Sequence, residues 1–110
     1  MTRLVTHIWV GAYLTRLRLM DIPVFVTSKG DRDAGTVLVK LNTLDGKAQL
    51  FHRRFDLFTG DRLWDVLASN HDMVIDENIQ KQRQSDPDLW VIEVEDPKGR
   101  HMLDDPGLQA

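Results

Sequence analysis

Residues 36–55 read TVLVKLNTLDGKAQLFHRRF and predict a β-hairpin in the middle of the chain. The first half alternates between apolar and polar side chains, as a half-buried strand does; the apolar face carries Val37, Val39 and Leu41, and the polar face Lys40 and Asn42. Asp45-Gly46 is a dipeptide favoured in two-residue hairpin turns, because both central residues need a positive φ. Lys47 to Phe55 then returns as the antiparallel partner strand.

The predicted turn also sets a register between the two strands. A two-residue connection pairs Leu41 with Leu50. In the same register Val39 lies opposite His52. We therefore expect His52 on the apolar face of the hairpin, as a partly buried imidazole bonded to the backbone or as a functional group.

Toward the N-terminus, the apolar residues from Thr6 to about Met20 recur at helical spacing and predict an amphipathic helix. Its apolar stripe consists of Trp9, Ala12, Tyr13, Leu17 and Met20. Thr6 is the expected N-cap and Pro23 ends the helix. Residues 23–28 are β-branched and aromatic and predict a strand. The following loop contains Gly30 and Gly35, of which one is expected to supply a positive φ.

Toward the C-terminus, residues 62–68 predict a fourth strand, although their apolar spacing also suits a helix. Residues 72–84 predict a mostly polar helix that is capped by Asp72. Residues 89–95 predict a final strand with Trp90, Ile92 and Val94 inward and Glu93 and Glu95 outward. This strand can join an edge of the sheet or insert between earlier strands.

The predicted order is α-β-β-β-β-α-β. This order indicates an α+β fold with a mainly antiparallel sheet of about five strands, an N-terminal helix and a second helix before the last strand. A chain of 110 residues is expected to form a single domain over residues 1–110, with an irregular tail over about 97–110.

Composition excludes several classes of chemistry. The absence of cysteine removes thiol nucleophiles, thiolate metal sites, iron–sulfur clusters and disulfides. The 14 basic and 17 acidic side chains give a net charge of -3, which does not favour nucleic acid as a partner. The sequence shows no secretory signal pattern and no apolar run of about 18 residues. We therefore expect a cytoplasmic protein without a membrane partner.

Two segments and their order resemble a family of short bacterial proteins known as domain of unknown function 1491. They are the loop 30–35 leading into residues 36–40, and residues 86–96, DPDLWVIEVED, in which a turn, a tryptophan and alternating carboxylates follow in fixed order. The resemblance covers nearly the whole chain, includes the helix after Arg3-Leu4, and is weakest over residues 53–68. It implies a single-domain cytoplasmic protein and supplies no activity, substrate or catalytic residue.

No catalytic, cofactor-binding or metal-binding constellation emerges from the spacing of reactive residues. Asp88 and Asp96 would lie roughly 26 Å apart along a strand, too far to share an ion. The histidines, His7, His52, His71 and His101, lack the spacing of a metal-binding helix. The loop 30–35 has no following helix and is too short for a dinucleotide fingerprint, although its backbone amides could form a small anion nest.

Four residues remain as candidates for a ligand site or an interface: His52, Arg54, Glu93 and Glu95. The leading hypothesis is a non-catalytic interaction or accessory module that forms a homodimer or binds a protein partner, because no catalytic group emerges and a small sheet can leave apolar surface exposed. The alternative is a small enzyme or ligand-sensing domain for an acidic or phosphorylated small molecule, with His52 and Arg54 or the two glutamates around it.

Overall fold

The computed structural model describes residues 5–108, which form two α-helices, five strands and a short 3₁₀ helix. The elements are α1 (Thr6–Leu19), β1 (Val24–Ser28), β2 (Val37–Asn42), β3 (Lys47–Phe55), β4 (Arg62–His71), α2 (Asp72–Ser85), β5 (Trp90–Glu95) and the 3₁₀ helix Pro106–Leu108. The predicted α+β class and element order are confirmed. Residues 62–71 form a strand and not a helix.

The five strands form one sheet in the order β1-β5-β2-β3-β4. The last strand inserts between β1 and β2, a choice that the sequence left open. It runs parallel to β2, whereas the other neighbouring pairs are antiparallel. A central strand is covered on both faces, so Val91 is buried as well as the three apolar residues predicted to face inward.

Helices cover the two faces of the sheet, and each helix has its own hydrophobic cluster. On one face, Tyr13 and Leu17 of α1 pack with Val39, Ile92 and other strand residues. On the opposite face, Ile75 and Ile79 of α2 belong to a cluster with Leu38, Leu50 and Val91. We refer to these as the α1 face and the α2 face. Full burial of each large apolar side chain stabilises the fold by roughly 1.5–3 kcal/mol.

The first helix differs from the prediction at its start and along its stripe. Val5, and not Thr6, occupies the N-cap position. Thr6 instead donates its hydroxyl to the Gly35 carbonyl at 2.9 Å, which ties α1 to the loop before β2. Val10 is buried and Ala12 is exposed. Asp72 is likewise the first residue of α2 and not its cap, a position that His71 holds.

The hairpin register differs from the prediction by one residue. The strands are joined by a three-residue connection, residues 44–46, and the Thr43 amide donates to the Lys47 carbonyl at 3.3 Å. Leu44 and Gly46 both have a positive φ. Val39 therefore pairs with Phe51, and His52 lies on the opposite face from Val39. The expectation that His52 shares the apolar face of Val39 and Leu41 is wrong.

The segment after β5 packs against α1. Leu103 and Leu108 are buried in the cluster of the α1 face. The Trp9 indole donates to the Leu108 carbonyl at 2.9 Å, and the Tyr13 hydroxyl donates to the His101 carbonyl at 2.6 Å. Residues 97–108 thus hold the two aromatic side chains of α1 in place.

Candidate functional site

A cleft of about 440 Å³ opens on the α1 face, between the start of α1, the loop before β2 and the adjoining ends of β3 and β4. Its lining combines basic, aromatic and small residues: Val5, Thr6, Trp9, Asp33, Ala34, Gly35, Thr36, Val37, Arg53, Arg54, Phe55, Arg62 and Trp64. We refer to it as the arginine cleft. Its volume lies within the range of roughly 300–1,000 Å³ that is typical of small-molecule pockets.

One wall of the arginine cleft is a loop held tightly against residue 88. A methyl group on Gly35 would lie 2.5 Å from the Asp88 carbonyl oxygen, so only glycine permits this approach. The Asp31 amide donates to the same carbonyl at 2.9 Å, and the Trp90 indole donates to the Asp31 carbonyl at 2.6 Å. The two segments that resemble the family thus contact each other. Gly30 and Gly35 serve this close packing, and neither has the positive φ that the sequence suggested for one of them.

The floor of the cleft is a stack of one arginine and two tryptophans. The Arg53 guanidinium carbon lies 5.2 Å from the Trp9 ring centroid and 5.1 Å from that of Trp64. The two indole rings are 5.2 Å apart, and Trp9 also stacks on Tyr13 at 5.0 Å. Cation–π contacts of this kind favour a fixed guanidinium position. The Trp64 indole nitrogen is buried and has no hydrogen-bond partner among the described residues.

The electrostatics of the cleft are positive. Among its described lining residues the charged side chains are Arg53, Arg54, Arg62 and Asp33. Arg54 forms an ion pair with Asp65 at 3.0 Å in which both side chains are half exposed. Arginine stays charged at any physiological pH, and its planar fork matches the oxygens of carboxylates and phosphates. The arrangement is suited to bind an anion.

A second feature is the exposed apolar surface of β4, the edge strand beside the cleft. Leu63, Val66 and Leu67 of this strand are each more than a third exposed. Leu57 and Phe58 in the preceding turn are 87% and 100% exposed. Met73 and Val74 in the first turn of α2 continue the same stretch of chain. We refer to these seven residues as the β4 strip.

On the α2 face, a buried lysine gathers three carboxylates. Lys40 is only 2% exposed; it contacts Asp72, and its Nζ lies 2.6 Å from Asp76 and 3.4 Å from Glu93. Burial lowers the pKa of Lys40, but the hydrogen bonds to Asp72 and Asp76 outweigh it and hold this pKa above its ordinary value. The lysine, predicted on the polar outward face, is thus an internal tie between the sheet and α2.

The four candidate residues are not brought together at one site. Arg54 lines the arginine cleft, whereas His52, Glu93 and Glu95 do not. His52 lies opposite Asp65 of β4, and Glu93 contacts Lys40. Glu93 and Glu95, predicted to point outward, are half-buried because β5 is a central strand whose second face is covered.

Sequence reasoning missed the partners of Arg54 in the cleft. Trp9 and Trp64 lie 55 positions apart, and of the two the sequence places only Trp9, in the apolar stripe of α1. Arg53 and Arg54 are neighbours in the chain, and the alternation of a strand places neighbours on opposite faces. One pattern in the sequence could have indicated the contact. Arg53 lies on the same face of β3 as Phe51, and this is the face that α1 and its Trp9 cover.

No helix among residues 5–108 is both long enough and apolar enough to cross a membrane.

A model of the family described as "Protein of unknown function (DUF1491)" matches residues 4–104. A crystal structure of a DUF1491 family protein from Caulobacter crescentus CB15 is 38% identical, with 94% of this chain and 98% of that chain covered and a TM-score of 0.86.

Two solution structures are also similar. An NMR structure of a DUF1491 family protein from the same organism is 37% identical, with coverages of 96% and 97% and a TM-score of 0.82. A protein from A. tumefaciens is 25% identical, with 86% of each chain covered and a TM-score of 0.72. The search of the curated proteins found no significant match.

Proposed function

The chain belongs to the DUF1491 family of proteins of unknown function, and from its own surface we propose that it is a non-catalytic interaction module that pairs with a second copy of itself along β4. The observation that carries this proposal is the β4 strip. We keep the cytoplasmic location predicted from the sequence as part of the proposal.

The two edges of the sheet differ in a way that favours β4 as the interface. Strand β1 has five residues and follows Pro23. Strand β4 has ten residues and exposes Leu63, Val66 and Leu67. Monomeric proteins usually keep an edge strand short or place charges and prolines on it, since open backbone groups invite pairing with another chain. A long edge with exposed leucine and valine is the kind that pairing covers.

Charge complementarity favours a second copy as the occupant. Strand β4 begins at Arg62, close to Arg53 and Arg54, and it ends at His71 directly before Asp72. Two copies that pair antiparallel about a two-fold axis place the start of one strand opposite the end of the other. The basic end of each copy then faces the start of α2 in its partner, where the partly exposed Asp72 and Asp76 outnumber the buried Lys40 that they contact, and this favours the antiparallel orientation.

Light scattering after size exclusion, together with sedimentation equilibrium, tests this proposal. We expect the native chain to form a dimer, and the double variant Val66→Lys/Leu67→Lys to be monomeric with an unchanged far-ultraviolet circular dichroism spectrum. The matched control is Phe25→Lys, which places a lysine on the opposite edge at a residue that is 49% exposed, and it should remain dimeric. A native chain that stays monomeric up to its solubility limit, or a double variant that still dimerises, contradicts the proposal.

The absence of cysteine allows a second test with spin labels at single introduced cysteines. Labels on Ser69→Cys in β4 should give a pair distance below about 25 Å in the dimer, because the two β4 strands lie about 5 Å apart. Labels on Phe25→Cys in β1 should lie about 43 Å apart, since four strand spacings separate β1 from β4 in each copy. A shorter distance between the Phe25→Cys labels than between the Ser69→Cys labels would place the interface at β1 and contradict the proposal.

A further inference from the structure

We infer that the arginine cleft is a binding site for a small phosphate monoester, with the phosphate held by Arg54 and Arg62 and a flat apolar body placed against Phe55 and Trp64. This inference goes beyond the proposed dimer, and none of the seven residues of the β4 strip lines the cleft. It rests on the concave shape of the cleft, its positive lining and the position of its arginines relative to the aromatic floor.

The charge balance of the lining favours an anion. Three guanidinium groups and the carboxylate of Asp33 line the cleft, and the carboxylate of Asp65 pairs with Arg54 from outside the lining, so guanidinium groups outnumber carboxylates among these five groups. Arg53 lies against both indole rings, so its charge stays in the cleft without the entropic cost of ordering a free side chain. Guanidinium groups bind phosphate oxygens through short, charge-assisted hydrogen bonds that are about twice as strong as neutral ones.

The backbone amides at the start of α1 and in the neighbouring loop are already used by the protein itself. The amides of Asp33 and Ala34 donate to the Asp31 carboxylate at 3.2 and 2.8 Å. The anion nest that the sequence suggested in this loop is thus filled by the protein's own Asp31. The amides of Thr6 and His7 at the start of α1 donate to carbonyl oxygens of the same loop at 3.2 and 2.9 Å. The helix N-terminus is therefore not available to a ligand.

The size and polarity of the cleft favour an organic phosphate over the inorganic ion. A volume of about 440 Å³ far exceeds the share of roughly 30 Å³ that one water molecule occupies in the liquid, so a phosphate alone leaves most of it unfilled. The remaining wall includes the apolar side chains of Val37, Phe55 and Trp64. Aromatic faces bind flat rings by offset stacking, which adds to the charge interaction.

Calorimetric titration at low ionic strength with phenyl phosphate as the probe tests this inference, with inorganic phosphate as the comparison. We expect saturable binding of phenyl phosphate and binding of inorganic phosphate that is at least about tenfold weaker. Arg54→Gln and Arg62→Gln should each weaken phenyl phosphate binding by about tenfold, the effect of losing one hydrogen bond to a charged group. The matched control is Arg18→Gln, which removes an exposed arginine of α1 outside the cleft and should leave the affinity within about twofold.

Nuclear magnetic resonance of the indole N–H groups locates the site independently. The chain has three tryptophans, of which Trp9 and Trp64 line the cleft and Trp90 does not. Phenyl phosphate should shift the Trp64 resonance and leave that of Trp90 in place. A lack of saturable binding, an equal loss in Arg18→Gln and Arg62→Gln, or a shift confined to Trp90 would overturn the inference.

The two proposals can fail separately, because the cleft is built within one chain. The monomeric Val66→Lys/Leu67→Lys variant should bind phenyl phosphate with an affinity within about twofold of the native chain. Loss of phenyl phosphate binding in the monomeric variant overturns the placement of the site within a single chain.

Discussion

Replacement of Lys40 by methionine should destabilise the protein by about 3 kcal/mol. Lys40 is almost fully buried and contacts Asp72, Asp76 and Glu93. Removal of one partner of a buried ion pair typically costs about 3–5 kcal/mol, because the remaining charge is left uncompensated. We expect the lower end here, since the Asp72 and Asp76 side chains are 39% and 59% exposed and can be rehydrated. Methionine keeps most of the apolar stem, so the loss comes from the ammonium group.

The pH dependence of this difference follows from the raised pKa of Lys40. Burial lowers that pKa, but the hydrogen bonds to Asp72 and Asp76 raise it by a larger amount. The pKa of Lys40 therefore lies above its ordinary value of 10.5. A group with a raised pKa in the folded state contributes its full stability below the pKa of the unfolded state and loses it as pH rises through the folded value. The difference in the free energy of unfolding between the native chain and Lys40→Met should thus be constant near neutral pH and should narrow above about pH 10.5.

Urea unfolding followed by circular dichroism measures the free energy of unfolding of both proteins. The matched control is Lys47→Met, an exposed lysine on β3, which should change stability by less than about 0.5 kcal/mol. The double variant Lys40→Met/Glu93→Leu should recover part of the loss, because it removes the most buried of the three carboxylates. A cost below about 1 kcal/mol for Lys40→Met, or a gap that does not narrow at alkaline pH, would refute this account.

Three further perturbations have distinct expected outcomes. Gly35→Ala should lower the thermal midpoint because the added methyl meets the Asp88 carbonyl, whereas Gly11→Ala in open space on α1 should stabilise by roughly 0.5–1 kcal/mol. Leu103→Ala should cost about 2–5 kcal/mol in urea unfolding, and Leu57→Ala, at an 87% exposed residue, should cost almost nothing. Hydrogen bonds from the Arg100 side chain and amide lower the pKa of Asp96 to about 2. The stability that this carboxylate contributes is fully present above its pKa of 3.8 in the unfolded chain and is lost as pH falls through about 2. Asp96→Asn should abolish this loss of stability in acid titrations.

Local patterns predicted the elements well where the periodicity was unambiguous. Strand β3 has the predicted bounds, Lys47–Phe55, and α2 begins at the predicted Asp72. Alternation and helical spacing depend on residues that are close in the chain, so such signals can be recognised without knowledge of distant partners. The insertion of β5 beside β2 joins segments about fifty positions apart, and no local pattern specifies that choice.

The hairpin register shows how packing overrides a turn preference. Asp45-Gly46 favours a two-residue turn, but the connection takes in Leu44 at a φ of 61°, a conformation that costs a non-glycine residue about 1–2 kcal/mol. The observed register buries Phe51 beside Val39, where the predicted one would have placed His52. Burial of a phenylalanine in place of a histidine outweighs a strain of that size.

The arginine cleft itself depends on a β-bulge that the sequence does not announce. Leu50 pairs with Ala68 but Phe51 pairs with Val66, so Leu67 is an extra residue in β4. Without it, the inner register would continue and Arg53 would lie opposite residue 65. Asp65 would then replace Trp64 on the α1 face. The contact between the Trp64 indole and the Arg53 guanidinium would be lost, and the Asp65 carboxylate would neutralise the floor of the cleft. The positive, aromatic character of this site follows from one inserted residue, because a shift of one position exchanges every side chain between the two faces of a strand.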